Sequence, residues 1–579
     1  MYRTTKTAYD FKRECIENSL YGVDIDAGAV EIAKLRLWLS LIVDEDDIQN
    51  IKPLPNLDYK IVCGNSLVGF PENWGSPIEK EIEALIHQHF NETNVSKKNE
   101  LKIQIDEKIK SRYENSLKAF GYQVNFDFKT VFSEVFQRKG GFDVVIANPP
   151  YVRQEEIKEL KPTLQKQFEC YTGTSDLFVY FFEKGVRLLR ENGILTFISS
   201  NKYFRSGYGE KLRAYLGTKT RILQVIDFGD APIFDAIAYP SILVTQKAAS
   251  NGNTFSALAW KLNEPLERFH ETLVTQTITM RQTDLAPNGW RLENQSVLNL
   301  LEKLRKAGKP LGEYVNGRLY YGIKTGFNEA FVVDRATRDR LVAEHPSSAE
   351  VLKPFLRGRD VKRWKVDFGE QYLIKIESSE NKKHAWSGKS EKEAEKVFAK
   401  TFPAIHTRFE EFREQLIKRD DQGKYFWELR SCVYWQEFEQ PKIIYPDIAK
   451  GPEFAFDDNQ YHLVNTLYLM PTDQKWLLGL LNSQAVFWFY AKTSSQIRGG
   501  FVRFIAQYVS QIPVPVNSDP KPIESLVGQI LAAKAKDPTA DVSALEGEID
   551  QLVYQLYGLT EEEIGIVEGK GTPPRSPSF

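Results

Sequence analysis

The chain has 579 residues, 42% of them apolar and 27% charged, with a formal net charge of −2. Those proportions are ordinary for a globular protein of about three domains, and the charge alone names no nucleic-acid partner. No run of about 18 apolar residues predicts a membrane span. The opening MYRTTKTAYDFKREC has no secretory h-region. Cys15, Cys63, Cys170 and Cys432 form no CxxC pair, which argues against a structural zinc site and for a reducing cytoplasm.

In chain order, LYGVDID (20–26) predicts a strand and AVEIAKLRLWLSLIV (29–43) a helix after it. LDYKIVCG (57–64) predicts a second strand, and residues 77–138 a charged, helical insertion. FDVVIA (142–147) predicts a third strand. DLFVYFFEKGVRLLRENG (176–193) predicts a helix closed by Gly193 and followed by the strand ILTFISS. RILQVIDFG and SILVTQKA (221–229 and 241–248) predict a closing strand pair. Strands alternating with helices predict an α/β domain with a parallel sheet over residues 1–265. A connecting segment (266–310) precedes a mixed α+β domain (311–516) with aromatic and basic loops. That domain contains a predicted helix at 474–493, and residues 517–579 form a helical tail. Residues 301–516 carry a net charge of about +6 and the residues after 516 about −6, a basic middle compatible with nucleic acid but also with a solvated surface.

Ligands of open parallel sheets bind beyond the carboxyl ends of the strands, and three strand ends here carry suitable groups. Asp24 offers a carboxylate to a pair of ribose hydroxyls, while Asp26 caps the next helix. Asn65, in CGNSL, offers an amide to a purine edge, or simply closes a turn. The third end is Asn148-Pro149-Pro150-Tyr151. Its prolines donate no N–H and fix the backbone, so a rigid frame of carbonyl oxygens joins the Asn148 side chain. Together these acceptors can take both hydrogens of an exocyclic amine and free its lone pair from the ring. Tyr151 offers a face on which a planar base can stack.

These motifs resemble the adenine-N6 DNA methyltransferases of the gamma order, in the style of type IIG restriction–modification enzymes: an Eco57I-like methylase followed by a Taq-type specificity domain. The resemblance runs from Ser19 to about Val516. It implies a Rossmann-like sheet that binds S-adenosylmethionine without a metal, and double-stranded DNA as partner. In that family Asp24 falls at the ribose-binding acid, Asn65 near the cofactor adenine and Asn148 to Tyr151 at the catalytic loop. Asp176, in SDLF, falls at the start of a helix flanking the cofactor. Phe234 falls where an aromatic ring stacks on the flipped base opposite Tyr151. GIKTGFNEAF, LRGRDVKRW and the stretch from LLNSQAVFWFYAKT to IPVPV resemble the specificity domain. They make Lys324, Arg357, Arg359, Lys362, Arg363, Lys450 and Arg498 candidates for DNA contact.

One departure from the family pattern matters. A glycine-rich cofactor loop follows the family's first strand, yet the first glycine of this chain is Gly22. The expectation is a sheet without its first strand, with an upstream polypeptide supplying it, the glycine loop and any nuclease domain. Two other readings stay open: a DNA-binding specificity fragment without activity, and a protein-glutamine or ribosomal RNA methyltransferase with an NPPY loop. Cytosine-N4 transfer more often has serine where Asn148 stands.

Overall fold

The structure is a computed structural model. It describes residues 7–570, apart from 44–56, 72–73, 75–77, 93, 115, 235–238, 262–263, 288, 495, 498–499 and 517–518. The chain divides into two compact units, Met1–Asn294 and Gln295–Phe579. Among the described residues no helix is long and apolar enough to cross a membrane.

In the first unit, helix α1 (Ala8–Asn18) starts on a Thr7–Asp10 capping box. Strand β1 (Gly22–Asp24), helix α2 (Ala27–Ile42) and strand β2 (Ile61–Cys63) follow. β1 and β2 pair in parallel, with Gly22 opposite Ile61 and Asp24 opposite Cys63. Asp26 caps α2 by accepting from the Ala29 N–H at 2.8 Å, the role its place between strand and helix predicts. The insertion is helical: α3 (Ile78–Asn91), α4 (Val95–Glu114), α5 (Ser116–Phe120), α6 (Phe128–Val131) and α7 (Ser133–Lys139). Gly140 ends α7 in the left-handed region. Gly141 then passes so close to the next strand that a Cβ would lie 2.6 Å from the Leu188 oxygen.

Strand β3 (Phe142–Ala147) coincides with the FDVVIA run. After α8 (Lys161–Gln167) and α9 (Phe178–Leu188) comes β4 (Leu189–Ser200), then α10 (Glu210–Lys219), β5 (Arg221–Asp227), β6 (Pro240–Gln246), β7 (Thr254–Ala259), α11 (Phe269–Thr275) and β8 (Ile278–Arg281). The strands form one sheet in the order β3-β4-β6-β5-β7-β8. β3 runs parallel to β4, and β6 lies antiparallel between β4 and β5; β5 and β6 are the expected closing pair. The sheet continues past residue 265, since β8 pairs with β7 inside the segment expected to be a connection.

Helix α9 is shorter than its sequence predicts. Residues 189–193 belong to β4 because Asn192 adopts φ 62° and the backbone of Lys247 bonds to Asn192 and Gly193 at 3.0 and 2.8 Å. Sheet pairing overrides helix propensity there. α9 buries Phe178, Tyr180, Phe182, Val186 and the carboxylate of Glu183. That carboxylate accepts from the Glu169 and Cys170 N–H groups at 2.9 and 2.8 Å and pairs with Arg187.

Side chains near the strand ends link β1 and β3. At their amino ends the Tyr21 and Phe142 rings lie 5.5 Å apart, both against the cluster of Phe126, Phe132 and Val135. Beyond their carboxyl ends Leu67, which follows β2, packs with Val152, which follows β3. Among the described residues β1 pairs only with β2, and β3 only with β4.

The second unit holds a four-stranded antiparallel sheet (Tyr320–Tyr321, Leu467–Pro471, Lys442–Pro446, Ala455–Asp457) and a mixed one (Val332–Asp334, Gln371–Ile374, Leu352–Leu356, His462–Leu463). The predicted helix at 474–493 is two helices, Lys475–Leu481 and Gln484–Thr493. The chain breaks there because Ser483 caps the second helix and the Asn482 amide bonds to the Phe454 backbone on both sides, at 3.2 and 3.0 Å. The tail is not separate from this unit: Ile523, Val527, Ile549 and Val553 share one core with Leu477, Leu481 and Val486. Lys442 and Asp457 form an ion pair at 2.6 Å with both side chains fully buried.

Candidate active site

β3 delivers the chain directly into Asn148-Pro149-Pro150-Tyr151. Pro149 is buried, and Asn148 and Pro150 are exposed. The Asn148 amide has no hydrogen-bond partner among the described residues, and no described backbone N–H takes the carbonyl of Asn148 or Pro149. A strand end that leaves a side-chain oxygen and a main-chain oxygen unclaimed, in a segment that two prolines hold rigid, is an acceptor site for a ligand N–H₂.

The chain after the loop is clamped. Val152 accepts from the Leu177 N–H at 3.0 Å. One Asp176 oxygen accepts from the Gln154 N–H at 3.2 Å and the other from the Tyr208 hydroxyl at 3.1 Å. Burial and the Asp176 charge both push the Tyr208 phenol pKa upward, so its proton stays on the oxygen that donates. Lys161 adds a bond to the Gly173 carbonyl at 2.8 Å. Asp176, a cofactor candidate in the sequence, is therefore spent on holding the segment that follows Tyr151.

Tyr151 and Phe234 meet. Their ring centroids lie 6.3 Å apart with an interplanar angle of 62°, edge to face, an arrangement aromatic pairs favour. A base entering between them has to turn one ring towards parallel. Burial raises the Tyr151 hydroxyl pKa. Phe234 is half-buried, and the turn before it is pinned by Asp227, whose carboxylate accepts from the Asn201 amide at 2.7 Å and the Gly229 N–H at 2.9 Å. Tyr208, Asn201 and Asp227 were not singled out from the sequence. The available signal was weak: polar residues placed just beyond apolar strands, in NKYF and in IDFG.

Asp24 stands exposed at the carboxyl end of β1. One of its oxygens accepts from the Asp26 N–H at 2.8 Å, which leaves the other for a ligand. Asn65 follows β2, and its side-chain oxygen accepts from the Leu67 and Val68 N–H groups at 3.0 and 3.2 Å. The turn role is thus filled by the oxygen, and the NH₂ remains as a donor. An acceptor at one strand end and a donor at the next fit a ribose diol and a purine ring nitrogen. A cavity of about 200 Å³ lined by Tyr59, Lys60, His87 and Glu134 includes none of these groups.

In the second unit the seven basic candidates have different surroundings. Arg363 donates to the Asn482 carbonyl at 2.8 Å and pairs with Glu546 at 3.2 Å, tying a loop to the tail. Arg357 lies 3.5 Å from Asp360 within the same turn. Lys450 covers the Phe501 ring at 5.0 Å. Arg359 is 72% exposed, with Asp360 no nearer than 4.0 Å. Lys324 is exposed beside a small cavity with Tyr321, Arg430 and Tyr434, and Lys362 is half-buried. Arg498 lies outside the described residues. Glu395, His406 and Glu410 gather in this unit, but the Arg413 guanidinium bonds to both carboxylates and supplies the positive charge itself.

The family model of the Eco57I restriction-modification methylase matches residues 18–234, and that of the TaqI-like C-terminal specificity domain matches residues 353–514. The type II methyltransferase M.PaeR7I of Pseudomonas aeruginosa is 26% identical over 75% of this chain and 73% of its own. The type II methyltransferase M.BstVI of Geobacillus stearothermophilus is 23% identical over 74% and 75%. A solved structure of the type IIL restriction-modification enzyme MmeI in complex with DNA is 13% identical, covers 81% of this chain and 61% of that one, and superposes with a TM-score of 0.49. This chain joins an Eco57I-type restriction–modification methylase domain to a TaqI-like C-terminal specificity domain.

Proposed function

We propose that the protein methylates DNA at the N6 amine of an adenine turned out of the duplex, as the modification arm of a restriction–modification system in the cytoplasm. The unclaimed Asn148 amide at the end of β3, beside the Tyr151–Phe234 pair, carries this reading. An amine inside a base pair is out of reach of such a loop, so the base has to leave the stack. S-adenosylmethionine supplies the methyl group when bound, with Asp24 and Asn65 holding its ribose and adenine.

The Asn148 side-chain oxygen and the Pro149 carbonyl accept the two hydrogens of the amine. Those bonds draw the nitrogen away from conjugation with the ring, so its lone pair becomes available to form the bond to the methyl group, after which one of the two N–H protons leaves. Tyr151 and Phe234 enclose the base and exclude water from the nitrogen. Asp176, through Gln154 and Tyr208, keeps the loop in register. No covalent intermediate with the protein is needed, and the rate gain comes from positioning and from fixed dipoles at the amine. Asparagine rather than serine at the head of the loop favours adenine over cytosine. Unit two reads the DNA sequence through its basic loops, with Arg359 and Lys324 the candidates least engaged inside the protein.

The test is transfer of tritium from labelled S-adenosylmethionine to mixed-sequence DNA, with the nucleosides separated afterwards. Label in N6-methyladenine, lost in Asn148→Ala, is the expected result. Label in N4-methylcytosine, in RNA or in protein, or transfer that survives Asn148→Ala, would overturn the reading.

A further inference from the structure

Arg363, Arg357 and Lys442 are spent inside the second unit, but one group of polar heads there is not. Strand 467–471 carries Tyr468 between Tyr321 and Tyr445, its direct neighbours on the two flanking strands, so the three rings share one face of that sheet. Tyr445 is buried and stacks on Tyr468 with 5.5 Å between centroids, while Tyr468 is half-buried and Tyr321 is 43% exposed. The charges of Asp447 and Arg503 both reach the Tyr468 phenol, one raising its pKa and the other lowering it. The main chain at both residues is fixed. Asp447 donates its N–H to the Thr466 carbonyl at 2.9 Å and accepts from the Phe504 N–H at 2.8 Å. Arg503 pairs with Ile448 across the antiparallel strands Ile448–Ala449 and Phe501–Arg503, and its carbonyl takes the Tyr490 hydroxyl. The side chains are not fixed. Among the described residues no other residue donates to the Asp447 carboxylate, and no hydrogen bond or ion pair holds the exposed Arg503 guanidinium.

A carboxylate half withdrawn from water without a donor costs free energy. Burial raises the Asp447 carboxyl pKa, and the Arg503 charge offsets that only in part. A guanidinium within electrostatic reach of the carboxylate, yet not bonded to it, leaves both heads for a ligand. The ligand's chemistry follows from the two together. A phosphate suits Arg503 alone, but the Asp447 charge repels it. A base-pair edge suits both, because in the major groove cytosine offers its N4 amine as a donor and guanine offers O6 and N7 as acceptors. We propose that Asp447 and Arg503 together read one C·G base pair of the DNA recognition sequence, Asp447 accepting from cytosine N4 and Arg503 donating to guanine O6 and N7. The fixed backbone at both residues gives the two heads the constant spacing that such an edge demands. Ile448, opposite Arg503 in the ladder and 41% exposed, adds an apolar contact on the same face. The inference rests on the reading of this chain as a DNA methyltransferase.

Two separate readouts keep this apart from methyl transfer. Duplexes bound by the full chain are selected from a random-sequence library and sequenced, and the same chain is assayed for transfer. The parent should enrich a sequence with a C·G pair at a fixed position. Asp447→Ala and Arg503→Ala should each lose discrimination at that one position, by about tenfold or more, and keep it at the others. Both variants should melt with the parent, since neither side chain carries a bond inside the fold. Relaxation at two different positions, an unchanged preference in both variants, or equal weakening on every sequence, as for a phosphate contact, would each overturn the proposal. So would a parent that selects no sequence. The expected selection from a chain that transfers no methyl group would uphold the base-pair assignment and overturn only the functional reading.

Discussion

The loop after β3 and the basic loops of the second unit use polar groups in opposite ways. At Asn148 the amide is left without a partner while its neighbours are tied down by Asp176, Tyr208 and Lys161. In the second unit, Arg363 and Arg357 are engaged inside the protein, and Lys442 is sealed against Asp457. A polar side chain that the fold leaves unspent points to a ligand. One that the fold consumes points to architecture, whatever its residue type suggests. The two classes should fail differently on mutation, one losing activity and the other stability.

The largest effect belongs to the consumed class. Lys442→Met strands a buried carboxylate that still accepts from the Asn459 and Tyr461 N–H groups, and should lower stability by about 3–5 kcal/mol. Urea melts of the full chain would measure it. Burial already pushes the Asp457 carboxyl pKa upward, and without the lysine that direction strengthens. A carboxyl raised in the folded state binds more protons than in the unfolded one. The variant should therefore lose stability as pH rises out of the ordinary carboxylate range. A loss below about 1 kcal/mol would place the pair among interactions worth little.

Next comes the unspent class. Asn148→Ala should cut the rate of transfer by about 10²–10³, the scale seen when one preorganised polar group at a reacting centre is removed. Its melting temperature should not move, because no bond inside the fold is lost. A comparable fall in stability would show that the amide has a structural partner after all, and the contrast between the two regions would break.

Asp176 lies between the classes and sharpens the boundary. Asp176→Ala removes both acceptors of the clamp and should cost about 1–3 kcal/mol, with a Tyr208 hydroxyl and a Gln154 N–H left unpaired. Transfer should fall by about tenfold through looser placement of Tyr151. Tyr208→Phe, which removes one of those bonds, should cost less on both counts. If Asp176→Ala instead weakened cofactor binding at unchanged stability, the acid would belong with Asp24.

The strands up to β6 were legible because each is an apolar run, as with FDVVIA ended by Asn-Pro-Pro and GVD ended by the capping Asp26, whereas β7 and β8 fell where no strand was expected. The loop at 148–151 was legible for the same reason, since proline in tandem leaves little conformational choice. Three features were hidden, each set by distant partners. Helix α9 stops early because residues 192 and 193 bond to Lys247. The helix at 475–493 breaks because the Asn482 amide finds the Phe454 backbone. The clamp depends on Tyr208 meeting Asp176 across 32 residues. Nor does composition separate a guanidinium bound to Glu546 from one in solvent, because that depends on what the fold brings near it.

That last ambiguity is resolved by the smallest predicted effect. Arg359→Ala removes a charge from an exposed side chain and should leave the melting temperature unchanged. If the side chain contacts a phosphate, the variant should weaken DNA binding several-fold irrespective of sequence and reduce the salt slope of binding by about 1. Arg363→Ala is the counterpart. It releases Asn482 and Glu546 and should lower the melting temperature, while the salt slope stays as in the parent. The slope decides, because only a guanidinium that releases counterions from DNA changes it, and a weakened fold does not. Equal slopes for both variants would mean that exposure in the free protein does not identify the DNA-facing cations.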